Sequence, residues 1–226
     1  MSELSSTAPK PTAKAPRAKR GRDSARTKAE ILVAGRAEFA ERGFEGARVD
    51  AIAALAGANK RLLYHYYGNK EELYRAVLLD AYQEIRRGER ALSLDQFGPV
   101  EAMDRLVRFT FRHFLANPWF PRLLNTENIE NARFLKTMPD IQALHSPLVG
   151  QITTIVERGA DAGVFRRDVD PVQLYISIAA LGFFYVSNMA TLSVIFARDL
   201  SGIDMVQERE AQAVQMVLDY LRTKPV

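Results

Sequence analysis

Apolar residues recur at three- and four-residue intervals through most of the chain, the spacing of helical faces, and no stretch alternates as a strand does. Ile31, Ala34, Ala37, Phe39 and Ala40 form the first such face, and Gly43 follows its last turn, where glycine adopts a left-handed C-cap at least cost. Val49, Ile52, Ala53 and Ala56 form a second, shorter face. Gly57 then permits a sharp turn, and Asn59 is placed to cap a third helix in which Leu63 and Tyr67, four apart, point inward. Two short helices joined this tightly must cross steeply, and Lys60, Arg61, Leu62, Tyr64 and His65 are left outward or at the leading edge. That is the layout of a helix-turn-helix that offers cations and aromatics to DNA.

The remainder reads as helices in series. Leu73, Ala76, Val77, Asp80 and Ala81 start one that runs toward Ala91, and the Asp95–Gln96–Phe97–Gly98–Pro99 stretch breaks it. A second runs from Val100 to Ala116, after which Asn117 and Pro118 give a cap and a first-turn proline. Trp119 to Thr137 reads as one or two helices, with breaks predicted at Met138–Pro139–Asp140 and at His145–Ser146–Pro147. Leu148 to Ala162 is amphipathic and ends at Gly163, Asp170–Pro171 opens an apolar run, and a last helix spans Asp204 to Arg222. The predicted class is all-α: a tail over residues 1–23, a three-helix domain over 24–73 and a helical domain over 74–226. The run from Leu174 to Ala197 approaches the ~20 residues that span a bilayer. Ser177, Gly182, Ser187, Asn188, Thr191 and Ser193 interrupt it, so it is read as a buried helix of a soluble domain, with no membrane partner.

Charge and composition sharpen this picture. Residues 1–28 carry a net +6 while the whole chain carries +4, so residues 29–226 sum to −2. The basic tail, rich in Ser, Thr, Ala, Pro, Lys and Arg without apolar periodicity, is expected to be disordered. It reads either as an arm that adds phosphate or minor-groove contacts, or as a solubilising leader. It lacks the apolar run of about 7 to 15 residues that a secretory signal needs, and a cytoplasmic location is expected. Cysteine is absent, which excludes disulfides, thiol nucleophiles and thiolate metal sites.

The segment from Thr27 through Gly68–Asn69–Lys70–Glu71–Glu72–Leu73–Tyr74 resembles, without a gap, the TetR/AcrR family of one-component transcriptional regulators. The resemblance implies that Lys60 to Tyr66 form the recognition helix, with Arg61, Leu62, Tyr64 and His65 toward the major groove and Lys70 toward phosphate. The chemistry agrees: arginine offers two donors to guanine, leucine packs on a thymine methyl, and tyrosine and histidine donate to phosphate or sugar. Thr27 and Lys28, placed at the start of the first helix, would bring a hydroxyl and free backbone N–H groups to a phosphate. The chain departs from the family where Ala47–Arg48 replaces the usual hydroxyl pair, with Arg48 as a substitute cation. It departs again where Asn59–Lys60–Arg61–Leu62 replaces a serine-lysine-glycine-threonine run and gives the recognition helix bulkier tips.

The resemblance also implies that residues 74–226 bind a small-molecule effector and form a homodimer, the last two helices pairing across a two-fold axis. Val206, Ala213, Val214, Val217 and Leu221 supply the apolar stripe for that role. The double-stranded DNA operator would be palindromic, with recognition helices about 34 to 36 Å apart. Candidate effector contacts are the polar and flat groups within apolar helices: Phe109, Arg112, His113, Trp119, Asn125, Asn128, Tyr185 and Asn188. Duller readings stand beside them, in which Asn188 bonds across the dimer, Arg112 pairs with Glu127 or Glu130, and His113 is a core histidine. Leu62–Leu63–Tyr64 and the layout of the carboxy-terminal half resemble the branch that includes the pyrimidine-sensing regulator of uracil catabolism. That likeness implies a planar nitrogen heterocycle or aromatic acid as effector.

An enzyme fares poorly against this reading. His65, His113 and His145 show no metal-ligand spacing, no glycine-rich phosphate loop follows a strand, and no cofactor is implied. Glu71 and Glu72 sit in a first helical turn, where acids complement the helix dipole. The alternative carried forward is a non-enzymatic helical adaptor, or a nucleoid-type DNA-binding protein without a ligand.

Overall fold

A computed structural model describes the backbone of residues 17–222 and the side chains of residues 24–222. Nine α-helices follow in order among these described residues: α1 Arg17–Gly46, α2 Val49–Leu55, α3 Lys60–Tyr67, α4 Lys70–Ala91, α5 Pro99–Ala116, α6 Trp119–Ile129, α7 Ile141–Asp161, α8 Pro171–Ile195 and α9 Ile203–Leu221. Short 3₁₀ turns at Leu94–Gln96 and Leu135–Thr137 link α4 to α5 and α6 to α7. Extended pairing among the described residues is confined to an isolated antiparallel bridge between Phe165 and Arg222.

The three-helix unit closes as its pattern predicts. Ile31, Phe39, Ile52 and Leu63 are fully buried, and Gly43 interrupts α1 at φ 66°. One position of the first face is corrected, because Ala37 is exposed while Glu38 is buried. The first helix also begins earlier than expected. Residues 17–23, assigned to the tail, are helical, whereas residues 1–16 lie outside the described residues.

The core of this unit does not stop at residue 73. Tyr74 on α4 packs its ring 4.9 Å from Phe39, 5.2 Å from Phe44 and 4.7 Å from Phe134, and Phe120 and Leu123 of α6 join the same cluster. Large rings from α1, α4 and the chain after α6 thus fuse the two predicted domains into one apolar body. A second core, built on Leu94, Met103, Leu106, Ile152, Ile155, Phe165, Leu174, Ile178, Val217 and Leu221, holds α5, α7, α8 and α9 together.

Two expectations for the later helices change. The break predicted at His145–Ser146–Pro147 is absent: α7 runs through Pro147. Burial of Leu148, Ile152, Ile155 and Val156 outweighs the hydrogen bond that proline removes. The burial predicted for the apolar run is one-sided. On α8, capped by Asp170 Oδ1 accepting from Val172 N and Gln173 N, only Leu174, Ile178, Gly182 and Tyr185 are buried. Val172, Ile176, Phe184, Val194 and Ile195 remain exposed.

Candidate nucleic-acid interface and a buried polar cluster

Local chemistry fixes α3 before it offers anything to a partner. Asn59 Oδ1 accepts from Leu62 N at 2.9 Å, which caps the helix. Leu63 and Tyr67 are buried against α1, where the Tyr67 hydroxyl donates to Lys28 O at 2.8 Å, and the Tyr66 hydroxyl lies 3.1 Å from Ser24 Oγ. Arg61, Tyr64 and His65 are exposed on the other side and Leu62 is half-buried. Lys60 is exposed too, but its Nζ is 2.8 Å from Asp50 Oδ1 on α2. The hydrogen bond to that carboxylate raises its pKa above the ordinary lysine value.

The missing hydroxyl cap of α2 is not replaced, but a carboxylate that the sequence reading did not single out ties down the N-cap residue. Arg48 occupies the N-cap position in an extended conformation without a side-chain cap, and its backbone N–H donates to Glu38 Oε1 at 3.1 Å. Glu38 is 7% exposed and also pairs with Arg42 at 3.5 Å. The available signal was a carboxylate interrupting the apolar face of the first helix beside Phe39.

Two assigned residues sit differently from the expectation. Thr27 and Lys28 lie well inside α1 rather than at its start, so their N–H groups belong to the helical ladder. Lys28 is exposed, with its Nζ 5.6 Å from the Tyr67 ring centroid. Lys70 does begin α4, behind the Asn69 cap that accepts from Glu72 N at 2.8 Å. Its Nζ is 4.7 Å from the Phe44 ring centroid and 3.3 Å from Glu45 O. Arg48, Asn59, Lys60, Arg61, Leu62, Tyr64 and His65 therefore share the α2–α3 motif, with Lys70 opening the helix that follows.

The structure does not gather the eight effector candidates. Phe109, Arg112 and His113 line a groove of about 600 Å³ along α5, together with Arg105, Arg108 and Asn117. Arg112 pairs there with Glu210 of α9 at 2.8 Å, and not with Glu127 or Glu130. Trp119 donates to Asn117 Oδ1 at 3.2 Å, and Arg36 stacks 4.1 Å from its ring. Asn125 and Asn128 are exposed on α6. Asn188 donates to Phe184 O of its own helix, and the Tyr185 hydroxyl donates to Leu200 O at 2.6 Å. Of these, only His113 is buried with an unbonded atom, Nε2.

That atom belongs to a cluster that the sequence did not reveal. Arg86 and Glu89 on α4 are 3% and 2% exposed, with Arg86 Nε 3.0 Å from Glu89 Oε2. The contact lacks hydrogen-bond geometry. Arg86 Nε and Nη1 and both Glu89 oxygens have no hydrogen-bond partner among the described residues. Arg86 Nη2 donates to the Tyr175 hydroxyl of α8 at 2.7 Å, and the guanidinium lies 5.4 Å from that ring. Burial pushes Glu89 up to about 7 against the opposing pull of Arg86 and Arg90. Burial, reinforced by the Arg86 charge, lowers His113 to about 4. Burial also lowers His145, whose ring packs 4.9 Å from Tyr82. No group of three or more metal-ligating side chains occurs among the described residues.

Comparison with known proteins agrees with both halves. Residues 31–77 match "Bacterial regulatory proteins, tetR family", and residues 99–217 match "Tetracyclin repressor-like, C-terminal domain". The HTH-type transcriptional repressor NicS of Pseudomonas putida is 36% identical over 182 residues, 80% of this chain and 86% of that protein. The HTH-type transcriptional regulator RutR of Escherichia coli K12 is 30% identical over 165 residues, 72% of this chain and 74% of its own length. A TetR family transcription regulator from Marinobacter aquaeolei VT8 superposes with a TM-score of 0.70 at 23% identity, covering 91% of this chain and all of that one. With family matches over residues 31–77 and 99–217 and an all-helical fold among the described residues, the chain belongs to the TetR family of bacterial transcriptional regulators.

Proposed function

We propose that the protein is a homodimeric repressor that binds a palindromic operator through α3 and leaves it when a small planar effector, a nitrogen heterocycle or an aromatic acid, occupies the helical domain. It acts in the cytoplasm on double-stranded DNA and performs no catalysis. The observation that carries the reading is the outward row of Arg61, Tyr64 and His65 on a helix pinned by its Asn59 cap and by Leu63 and Tyr67. A cation with a bidentate fork and two aromatic donors suit base edges and phosphates. Arg48 adds positive charge at the start of α2 and Lys70 at the start of α4, while the charge of Lys60 is offset by Asp50.

The route from effector to DNA follows the fused core. A shift of α4 or of the chain after α6 cannot leave α1 in place, because Phe39, Phe44, Tyr74 and Phe134 interlock across them. Fluorescence anisotropy on labelled DNA from upstream of the protein's own gene tests the reading. Binding that survives excess random DNA, and is lost on adding effector, supports it. Binding erased by random DNA favours the nucleoid-type alternative.

A further inference from the structure

From Gly46 to Lys70 the chain carries one carboxylate, Asp50, against four fixed cations, Arg48, Lys60, Arg61 and Lys70. A surface that is to meet phosphate has no electrostatic use for an acid, and this one is placed on a particular cation. Asp50 stands in the first turn of α2, and its Oδ1 lies 2.8 Å from Nζ of Lys60, the first residue of α3. The hydrogen bond and the charge of Asp50 raise the Lys60 pKa, while slight desolvation and the Arg48 charge oppose the rise, so all three groups lie within electrostatic reach.

The fold does not depend on the pair. Ile52 and Leu63 are fully buried, and between the helices Ala58 N donates to Ala53 O at 2.9 Å and Gly57 N to Ala54 O at 3.1 Å. Both side chains of the pair are at least half exposed, and an ion pair so exposed adds little to stability. Its consequence is for whatever approaches α3. Taking α3 as the operator-reading helix, a premise that rests on the proposed function, we propose that Asp50 is a specificity-determining residue. It holds Lys60 against α2 and cancels its charge, so that attraction to phosphate stays low and the choice of DNA is left to Arg61, Tyr64 and His65.

Phosphate attraction strengthens binding to every DNA alike, and random sites far outnumber an operator, so limiting that attraction favours selectivity. The two α3 cations differ in what they can tell apart. Arg61 is exposed, and its side chain makes no hydrogen bond or ion pair among the described residues. Three and four residues before Tyr64 and His65, it shares their face of the helix. Its planar guanidinium carries base information through fixed parallel donors, whereas the Lys60 ammonium is a point charge that any phosphate satisfies. When a phosphate draws Lys60 away, Asp50 stays behind, and its repulsion offsets what the lysine gains. Its place in the first turn also opposes the positive end of α2.

The test is anisotropy of the full chain over a series of salt concentrations, on labelled random duplex and on labelled DNA from upstream of the protein's own gene. Asp50→Asn removes the charge and keeps the shape. On random DNA it is expected to steepen the fall of log affinity with log salt by about 0.9, the release of roughly one more counterion, and to bind roughly 5-fold tighter at ~0.1 M salt. On the upstream DNA the gain is expected to be smaller, because base contacts fix the register of α3, so the preference narrows by roughly 3-fold. Asp50→Asn with Lys60→Ala is expected to return the slope to the wild-type value, and Asp50→Glu, which keeps the charge, to hold it there. Asp204→Asn makes the same charge change at the start of α9 and is expected to leave the slope alone. Circular dichroism and thermal melting confirm that each variant is folded. The proposal is overturned by an unchanged slope in Asp50→Asn, by a slope below wild type in the double variant, by an equal response to Asp204→Asn, or by equal gains on the two DNAs. The slope on random DNA needs no operator and judges Asp50 by itself. Wild-type protein that binds its upstream DNA no better than random DNA rejects the repressor reading instead, and a steepened slope then leaves Asp50 as a brake on phosphate binding.

Discussion

Leu63 and Tyr67 anchor α3 to the core and leave Arg61 and Tyr64 exposed, the pair that the proposed function assigns to DNA. Arg61→Ala and Tyr64→Ala are each expected to weaken specific operator binding by about 1–3 kcal/mol without unfolding the protein, as base or phosphate contacts do. Anisotropy with circular dichroism as control checks this, and unchanged affinity in both variants would move the reading surface elsewhere. Buried titratable groups give a second prediction. His113 titrates near 4 in the folded chain against an ordinary 6.5, so the unfolded state takes up the proton first as pH falls. The stability it contributes is complete above pH 6.5 and is lost progressively toward pH 4, by about 3 kcal/mol in all. Glu89 acts oppositely. Its folded value near 7 stands above the ordinary 4.5, so its contribution grows as pH falls between those values and flattens the wild-type curve. The informative quantity is therefore the difference in urea-unfolding free energy between wild type and His113→Gln, which should shrink by that amount from pH 7.5 to pH 4. Parallel curves would mean that His113 is not held neutral.

Between α6 and the following 3₁₀ turn, Asn131 and Ala132 both adopt left-handed backbone, at φ 54° and 56°. The segment is held on both sides: Leu135 N donates to Glu127 Oε2 at 3.1 Å, Phe134 packs 4.4 Å from Phe44, and Arg133 pairs with Glu71 at 3.2 Å. A left-handed alanine costs about 1–2 kcal/mol, while glycine there adds about 0.5–1 kcal/mol of unfolded-state freedom. Ala132→Gly is thus expected to stabilise the protein by up to about 1 kcal/mol in urea unfolding. A loss of stability would show that the alanine methyl packs more favourably than its backbone is strained. The same segment shows where sequence reading stops. The cap and inward pair of α3 were legible because Asn59, Leu63 and Tyr67 lie within nine residues of one another. The role of Phe134 was not, because its partners Phe44 and Tyr74 are separated from it by 60 residues or more. Arg86 and Glu89 gave no signal for a related reason. Three apart on a helix, they have the spacing of a solvated ion pair, and only the approach of His113 and Tyr175 from other helices buries them. Pro147 read as a break because packing on the second core cannot be seen locally.

On the scale of the whole molecule, the feature that one chain leaves open is the outer face of α8 and α9. The helix Pro171–Ile195 is long and apolar enough to cross a membrane, and only 17% of its most apolar window is buried within the chain. Phe184 is 58% exposed, Met216 52% and Tyr220 47%, and they line one groove of about 570 Å³ with Gln173, Ser177 and Arg209. Contiguous apolar surface of this kind marks an interface. Its polar members, Ser177 and Gln173 with Arg209 donating to Leu181 O at 3.3 Å, suit a protein partner better than acyl chains. A two-fold partner would bury the face against itself and hold two α3 helices at a fixed distance, which an operator of two half-sites requires. Phe184→Asp with Met216→Asp places charge in the middle of that face without touching either buried core. The double variant is expected to sediment as a monomer. Its operator affinity should fall by roughly 100-fold, because the second half-site contact is no longer intramolecular. Sedimentation velocity beside anisotropy separates the outcomes: a monomer with undiminished operator affinity would mean that dimerisation does not set the spacing, and a dimer that persists would place the interface on another surface.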